Sequence, residues 1–214
     1  MPRYGLIDSD YSLRLRTAAP IADGTIYMLN LTKYLPDNDP GLGDGPRGAW
    51  QLADRYSPGR YAPIPLLTAV GANLCFVAEV LASSGDWDNV AVVSYPSRRA
   101  FLELAGRPEF QTWHAQKQSL VERTAVFGTV PVQDLPEAAG SRLMLLELWD
   151  GPDPQPITSH PFTPFGVEGT IVGDGRSWTG ARYTVIEPGL PLPIQQPRPD
   201  YQALLLEPRV ERWQ

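Results

Sequence analysis

The sequence has one cysteine and two histidines among its 214 residues. The single cysteine, Cys75, excludes an intramolecular disulfide and any metal site built from several cysteines. Because Cys75 lies in an apolar run, we expect it to be a small buried hydrophobic side chain. His114 and His160 lack the His-x-His or His-x-x-x-His spacing of zinc sites. The sequence therefore predicts no metal ion.

Basic clusters and long apolar runs are also absent. Lys and Arg number 18 against 24 Asp and Glu, a net charge of −6, and no segment concentrates positive charge. Nucleic-acid binding, which requires a basic surface, is therefore not expected. No apolar run approaches the roughly 20 residues that cross a bilayer, and residues 1–10 do not resemble a secretion signal. These observations predict a cytoplasmic protein without a membrane segment.

Common catalytic signatures are missing as well. The sequence contains no Gly-x-Ser-x-Gly elbow, no phosphate-binding P-loop and no Gly-x-Gly-x-x-Gly after a strand. Chemistry dependent on ATP or on nicotinamide is therefore unsupported, and we expect no cofactor.

Proline, in contrast, is abundant. The chain has 23 prolines, about twice the usual frequency of about 5%, and they are concentrated in residues 36–65 and after residue 152. This distribution predicts three parts: an N-terminal arm (1–23), a domain (24–133), and a proline-rich, mostly β extension (134–214) packed on that domain. Residues 190–199 are expected to be an extended surface strap.

The domain shows alternating strand and helix signals. Strands are predicted at residues 25–34, 74–82, 90–95 and 125–132 from their β-branched and apolar composition. Helices are predicted near 49–56 and 64–70, after the capping Ser97, and from Pro108 onward. The order βαββαβ predicts an α+β, ferredoxin-like unit: a four-stranded antiparallel sheet with helices on one face. The extension adds strand candidates at 142–149, 167–172, 183–187 and 201–206, and a degenerate second unit is one alternative for it.

Several short motifs of the domain occur in a recognisable order. They are Val-Gly-Ala at 70–72, Glu79, Gly-Asp-Trp-Asp at 85–88, Tyr-Pro-Ser at 95–97, Phe101 and Pro-Glu-Phe at 108–110. Together they resemble an uncharacterised family of the dimeric α/β-barrel superfamily over residues 24–132.

The resemblance implies a ferredoxin-like fold whose sheet pairs with a second sheet across a dimer, and a pocket for a small organic molecule between sheet and helices. Branches of the superfamily include cofactor-independent monooxygenases, polyketide cyclases and muconolactone isomerases. The long insertion at 36–63 and the C-terminal extension depart from its pattern. We therefore expect either a homodimer or an intramolecular pseudo-dimer, in which the extension replaces the partner's sheet.

His114 and Tyr27 are the candidate catalytic residues. His114 follows Phe110 by one helical turn, so its imidazole suits general acid/base catalysis if it faces a pocket; the alternative is a histidine packed at the helix edge. Tyr27 and Asn30 lie on opposite faces of the first strand, so one of them offers a polar group to an apolar pocket.

The candidate ligand-binding residues are Asn30, Trp50, Tyr56, Tyr61 and Trp113. The aromatic residues of the insertion form a lid in this hypothesis, or alternatively anchor the insertion to the protein body. The resulting prediction is an α/β-barrel protein that binds a small apolar or carbonyl-containing molecule, with cyclase, isomerase or monooxygenase activity. The alternative is a non-catalytic binding or assembly protein whose open sheet face is an oligomer interface.

Overall fold

The computed structural model of the chain describes residues 5–19, 23–35, 63–136, 140, 142–156, 162–186, 194 and 198–213. Its strands are β1 (Leu6–Ile7), β2 (Ile26–Tyr34), β3 (Asn73–Ser83), β4 (Asn89–Tyr95), β5 (Val121–Pro131), β6 (Leu143–Trp149), β7 (Phe162–Gly173), β8 (Gly180–Ile186) and β9 (Tyr201–Glu211). The helices are α1 (Ser9–Thr17), α2 (Ile64–Thr68), α3 (Arg98–Ala105) and α4 (Pro108–Leu120).

The strands form one antiparallel sheet that closes on itself. The order is β1-β7-β5-β2-β4-β3-β9-β6-β8, and β8 pairs in turn with β7. The closing ladder runs from Phe162 opposite Thr184 to Gly166 opposite Gly180. Eight strands, β2 to β9, therefore make a closed barrel, and β1 pairs with the far end of β7, at Val172 and Gly173, beyond the β7–β8 ladder. Closure leaves the eight strands without a free sheet edge.

The predicted fold class is therefore wrong. Most of the predicted strands and the α2, α3 and α4 helices are found near their expected positions, and Ser97 caps α3 by accepting a hydrogen bond from the Ala100 amide. The C-terminal strands, however, join the same sheet through β3–β9 and β5–β7 pairing. The result is a mostly β, closed antiparallel barrel with few helices among the described residues, and not a ferredoxin-like α+β unit or an α/β-barrel.

Two layers of apolar side chains hold the barrel together. Alternate residues of the strands fill its interior, including Leu29, Phe127, Leu146 and Tyr183. The other faces of β2, β3 and β4 pack outward against the helices through residues such as Met28 and Leu104. Because both faces are buried, these strands have nearly continuous apolar sequences.

The predictions that fall on residues 36–62, and most of the predicted 190–199 strap, lie outside the described residues. Within the described ranges, no helix combines the length and apolar character needed to cross a membrane.

Candidate functional site

Two turns meet at one end of the barrel. The β3–β4 turn spans residues 84–88 and the β7–β8 turn spans residues 174–179. Gln202, near the start of β9, links them: its side-chain oxygen accepts a hydrogen bond from Arg176 Nη2 at 2.7 Å, and its amide lies against Gly85. We call Trp87, Arg123, Arg176, Trp178 and Gln202 the rim cluster.

Two indole rings close this end of the interior. Trp87 and Trp178 both belong to the interior core and are 4% and 5% exposed. The guanidinium carbon of Arg123 lies 4.7 Å from the ring centre of Trp87, and that of Arg176 lies 4.7 Å from the ring centre of Trp178. Each arginine therefore covers one tryptophan in a cation–π contact, and both guanidinium groups stay near the solvent boundary.

Arg123, on β5, is held by the neighbouring turn. Its Nη2 donates hydrogen bonds of 2.8 Å to the carbonyl oxygens of Gly85 and of Asp86. Its Nε is buried and has no acceptor. The guanidinium group is thus fixed in position, and one of its donors is left without an acceptor.

Gln202 presents a second donor without an acceptor. The bond from Arg176 to its side-chain oxygen fixes which side of the amide carries nitrogen. Gln202 is fully buried, and its Nε2 has no hydrogen-bond partner. The indole Nε1 of Trp87 is a third buried donor of the same kind. A buried donor without an acceptor costs about 1–3 kcal/mol, so an acceptor that reaches any one of them is stabilising.

The carboxylates of this end are already paired. Lys33 Nζ binds Asp86 at 3.0 Å and Asp88 at 2.8 Å, and Arg176 binds Asp174 at 2.7 Å. Burial by itself raises the pKa of Asp174, but the hydrogen bonds and the positive charge of Arg176 together outweigh burial and hold the pKa below its usual value.

Arg123 is neutralised less completely than Lys33 or Arg176. Its contact with Asp86 Oδ2 is 3.6 Å long, and the Asp86 side chain is 76% exposed. A weak ion pair at the solvent boundary contributes little. The rim cluster therefore presents the partly exposed Arg123 guanidinium group to solvent, with the buried Gln202 amide behind the same turn.

These donors suit an oxygen acceptor and not a cation. Arginine and amide N–H groups bind carboxylates through charge-assisted hydrogen bonds. Within the described ranges, no three His, Cys, Asp or Glu side chains are grouped so that they could hold a metal ion.

The two predicted catalytic residues lie on opposite sides of the barrel wall. Tyr27 is buried in the interior, where its ring contacts Phe165 edge-on at 5.9 Å. His114 lies on α4 and stacks on Phe110 at 6.0 Å, and Phe110 packs against the outer core. Burial, with a smaller contribution from Lys117, lowers the pKa of His114. The structure does not bring His114 and Tyr27 together, and their catalytic roles remain predictions.

The remaining predicted site residues are also dispersed. Asn30 points away from the interior side of β2 and donates to the Met28 carbonyl at 2.9 Å. Trp113 lies on α4, with its ring 5.8 Å from Lys117 Nζ. Trp50, Tyr56 and Tyr61 lie outside the described residues. Four residues of the rim cluster were not predicted from the sequence: Arg123, Arg176, Trp178 and Gln202. The indication that the sequence offered was a tryptophan in each of two polar turns.

The predicted function needs correction. The α/β-barrel that was to carry acid/base catalysis is not formed, because the strands close into an antiparallel β-barrel. The alternative, assembly through an open sheet face, also fails because pairing of β7 with β8 closes the sheet.

No family model and no curated protein matches the chain. One similar solved structure is described as "Crystal structure of methylated RPA0582 protein"; it is 23% identical with a TM-score of 0.44, and the match covers 60% of this chain and 96% of that chain. Another is RPA0582, a "protein of unknown function from Rhodopseudomonas palustris", with 23% identity, a TM-score of 0.44 and coverage of 61% and 99%. Similarity at this level carries no functional argument, so the resemblance to the dimeric α/β-barrel superfamily stays a prediction.

Proposed function

We propose that the protein is a non-catalytic β-barrel that binds an organic molecule through a carboxylate group at the rim cluster. The observation that carries the proposal is the set of three buried donors without acceptors: Trp87 Nε1, Arg123 Nε and Gln202 Nε2. Gly85 and the turn around it connect Arg123 to Gln202. The site, its residues and its ligand chemistry differ from the helix-and-sheet pocket predicted from the sequence.

A carboxylate fits these donors better than a neutral ligand does. Hydrogen bonds to charged groups contribute about 1.5–3 kcal/mol, roughly twice the value of neutral ones. The Arg123 side chain is 35% exposed although its Nε is buried, so an anion from solvent first meets the outer part of the guanidinium group. The indole beneath Arg123 keeps one face of the guanidinium group dry.

The test compares benzoate with benzamide, which has nearly the same shape and no charge. Binding is measured by calorimetry and by chemical-shift changes of the tryptophan indole N–H signals. The informative variant is Gln202→Glu: its carboxylate still accepts from Arg176 but replaces the free donor by a negatively charged oxygen. We expect it to weaken benzoate binding by at least about 10-fold. Gln111→Glu on the exposed face of α4 makes the same change in net charge and is the matched control.

The proposal predicts that benzoate binds, that benzamide binds much more weakly, and that Gln111→Glu leaves benzoate affinity unchanged. Equal binding of benzoate to the wild type and to Gln202→Glu would refute it. The proposal would also be refuted if benzoate gave no saturable response. That result would mean that water satisfies the buried donors. Tighter binding of inorganic phosphate than of benzoate would contradict the proposed carboxylate ligand.

A cytoplasmic location, and either a homodimer or an intramolecular pseudo-dimer, are further parts of this proposal. The single cysteine, which leaves no intramolecular disulfide to form, supports the location. The dimer rests on the family resemblance alone. Cell fractionation tests the cytoplasmic location, and light scattering after gel filtration tests the dimer.

A further inference from the structure

Aromatic rings also close the opposite end of the barrel. Phe76, Phe165 and Tyr183 line the interior there, and Trp213, two residues beyond β9, packs against all three. We call these four residues the aromatic end. Phe76 and Ser83 lie seven residues apart on β3, about 23 Å at strand spacing, so this end is separate from the rim cluster.

The Trp213 side chain packs at the aromatic end in the way that an aromatic ligand would. Its ring stacks on Phe76 at 5.2 Å with an interplanar angle of 23°, and it meets Tyr183 edge-on at 5.4 Å and Phe165 at 6.3 Å. These are the separations and angles of favourable aromatic pairs. Three aromatic side chains of the barrel therefore contact the indole ring in different orientations.

The attachment of Trp213 to the barrel is slight. The last backbone hydrogen bond before it runs from the Arg212 amide to the Cys75 carbonyl at 2.7 Å. The side chain of Trp213 is only partly buried, yet its Nε1 is shielded and has no acceptor. The indole thus fills the site without satisfying its one polar atom.

Polar groups lie behind the rings. Burial, with a contribution from Cys75, raises the pKa of Tyr183, and the same two causes raise the pKa of Tyr27. Both phenols therefore stay protonated, and the Tyr27 ring meets Phe165 edge-on at 5.9 Å. The inner wall of the aromatic end combines aromatic faces with uncharged polar groups, a lining that suits an uncharged aromatic molecule.

The geometry points to a second binding site at the aromatic end, specific for a small uncharged fused-ring aromatic molecule, with Trp213 as its resident ring and competitor. A ligand of the size of indole or naphthol enters by displacing Trp213. The site is independent of the rim cluster and takes a different chemical class of ligand.

The test uses protein labelled with 5-fluorotryptophan, whose six tryptophans give separate fluorine signals; Trp213→Phe assigns the signal of Trp213. On titration with indole, the Trp213 signal is expected to move to the position of a solvent-exposed tryptophan. Trp213→Ala removes the indole side chain that competes for the site, whose effective concentration is in the millimolar range. This variant should therefore bind free indole about 10- to 100-fold more tightly than the wild type does. Trp213→Phe is expected to be intermediate.

Val132→Ala is the control, because Val132 lies at the same end but is 70% exposed; it should bind indole as the wild type does. The inference is overturned if Trp213→Ala, with its other five signals unchanged, shows no saturable binding of indole. It is equally overturned if the wild-type Trp213 signal stays in place at an indole concentration 100 times the dissociation constant of that variant. If Trp213→Ala does not fold, Trp213→Phe gives the same comparison, and equal affinity of Trp213→Phe and the wild type contradicts the inference.

Discussion

Helix α1 is docked on the barrel by two buried side chains, Tyr11 and Leu15, and two glycines make room for Tyr11. A Cβ atom at Gly128 would overlap the Tyr11 hydroxyl and lie 2.9 Å from Cζ, and one at Gly169 would lie 2.5 Å from the ring. Tyr11 is 2% exposed, and its hydroxyl donates to Glu168 at 3.4 Å. We predict that Gly128→Ala expels Tyr11 and detaches α1.

The magnitude follows from the area that is lost. A buried tyrosine removes about 150–250 Å² from water, which is about 4–6 kcal/mol at 25 cal/mol per Å². Detachment of the terminal helix returns conformational entropy, so we expect a net loss of about 3 kcal/mol in the free energy of unfolding. In a Tyr11→Ala background the added methyl group meets no ring, and Gly128→Ala should be neutral or stabilising by up to about 1 kcal/mol.

The assay is a double-mutant cycle on urea unfolding, with hydrogen exchange of residues 9–17 as the local measurement. Coupling between Gly128→Ala and Tyr11→Ala is expected to be about 3 kcal/mol, and each single variant should expose the amides of α1. If the two free-energy changes simply add to within about 0.5 kcal/mol, the glycine does not act through Tyr11 and the reasoning fails.

Three further predictions concern charge and packing. Gly85→Ala would place a Cβ atom 2.6 Å from Cδ of Gln202; moving that amide should cost about 1–3 kcal/mol in urea unfolding and abolish benzoate binding, and unchanged benzoate affinity would contradict the proposed site. Burial lowers the pKa of Lys117 to about 8, so the folded state binds fewer protons than the unfolded state between about pH 8 and 10.4. Lys117→Met should therefore be more stable than the wild type at pH 7. The difference between their free energies of unfolding should shrink above pH 8 by at most about 1.4 kcal/mol per pH unit. If urea unfolding gives the same difference across this range, the pKa of Lys117 is not lowered. Arg182 and Glu147 form a fully buried ion pair of 2.7 Å; Arg182→Met should cost about 3–5 kcal/mol, and adding Glu147→Leu should restore most of it, whereas additive losses in thermal unfolding would show that the pair is not coupled.

The local sequence was sufficient to predict many of the helices and strands, but it was insufficient to predict the rim cluster. Ser97 and Pro108 mark helix starts that the structure contains, since caps and first-turn prolines act within a few residues. Helix α1 was missed because its apolar face is narrow, with Tyr11 and Leu15 as its buried residues. The rim cluster joins side chains from four separated stretches, and nothing in their spacing along the chain indicates that they meet.

The sequence by itself determined the composition, the absence of an intramolecular disulfide, and the position of most strands and helices, because these depend on residue type and short-range periodicity. Tertiary structure alone decided which strands pair. Pairing of Phe76 with Glu211 in β3–β9 and closure through β7–β8 join residues far apart in sequence, and an apolar strand fits many partners equally well until the whole sheet is assembled. Closure turned an expected open sheet into a barrel, placed Tyr27 and His114 on opposite sides of its wall, and gathered Arg123 and Gln202 at its rim.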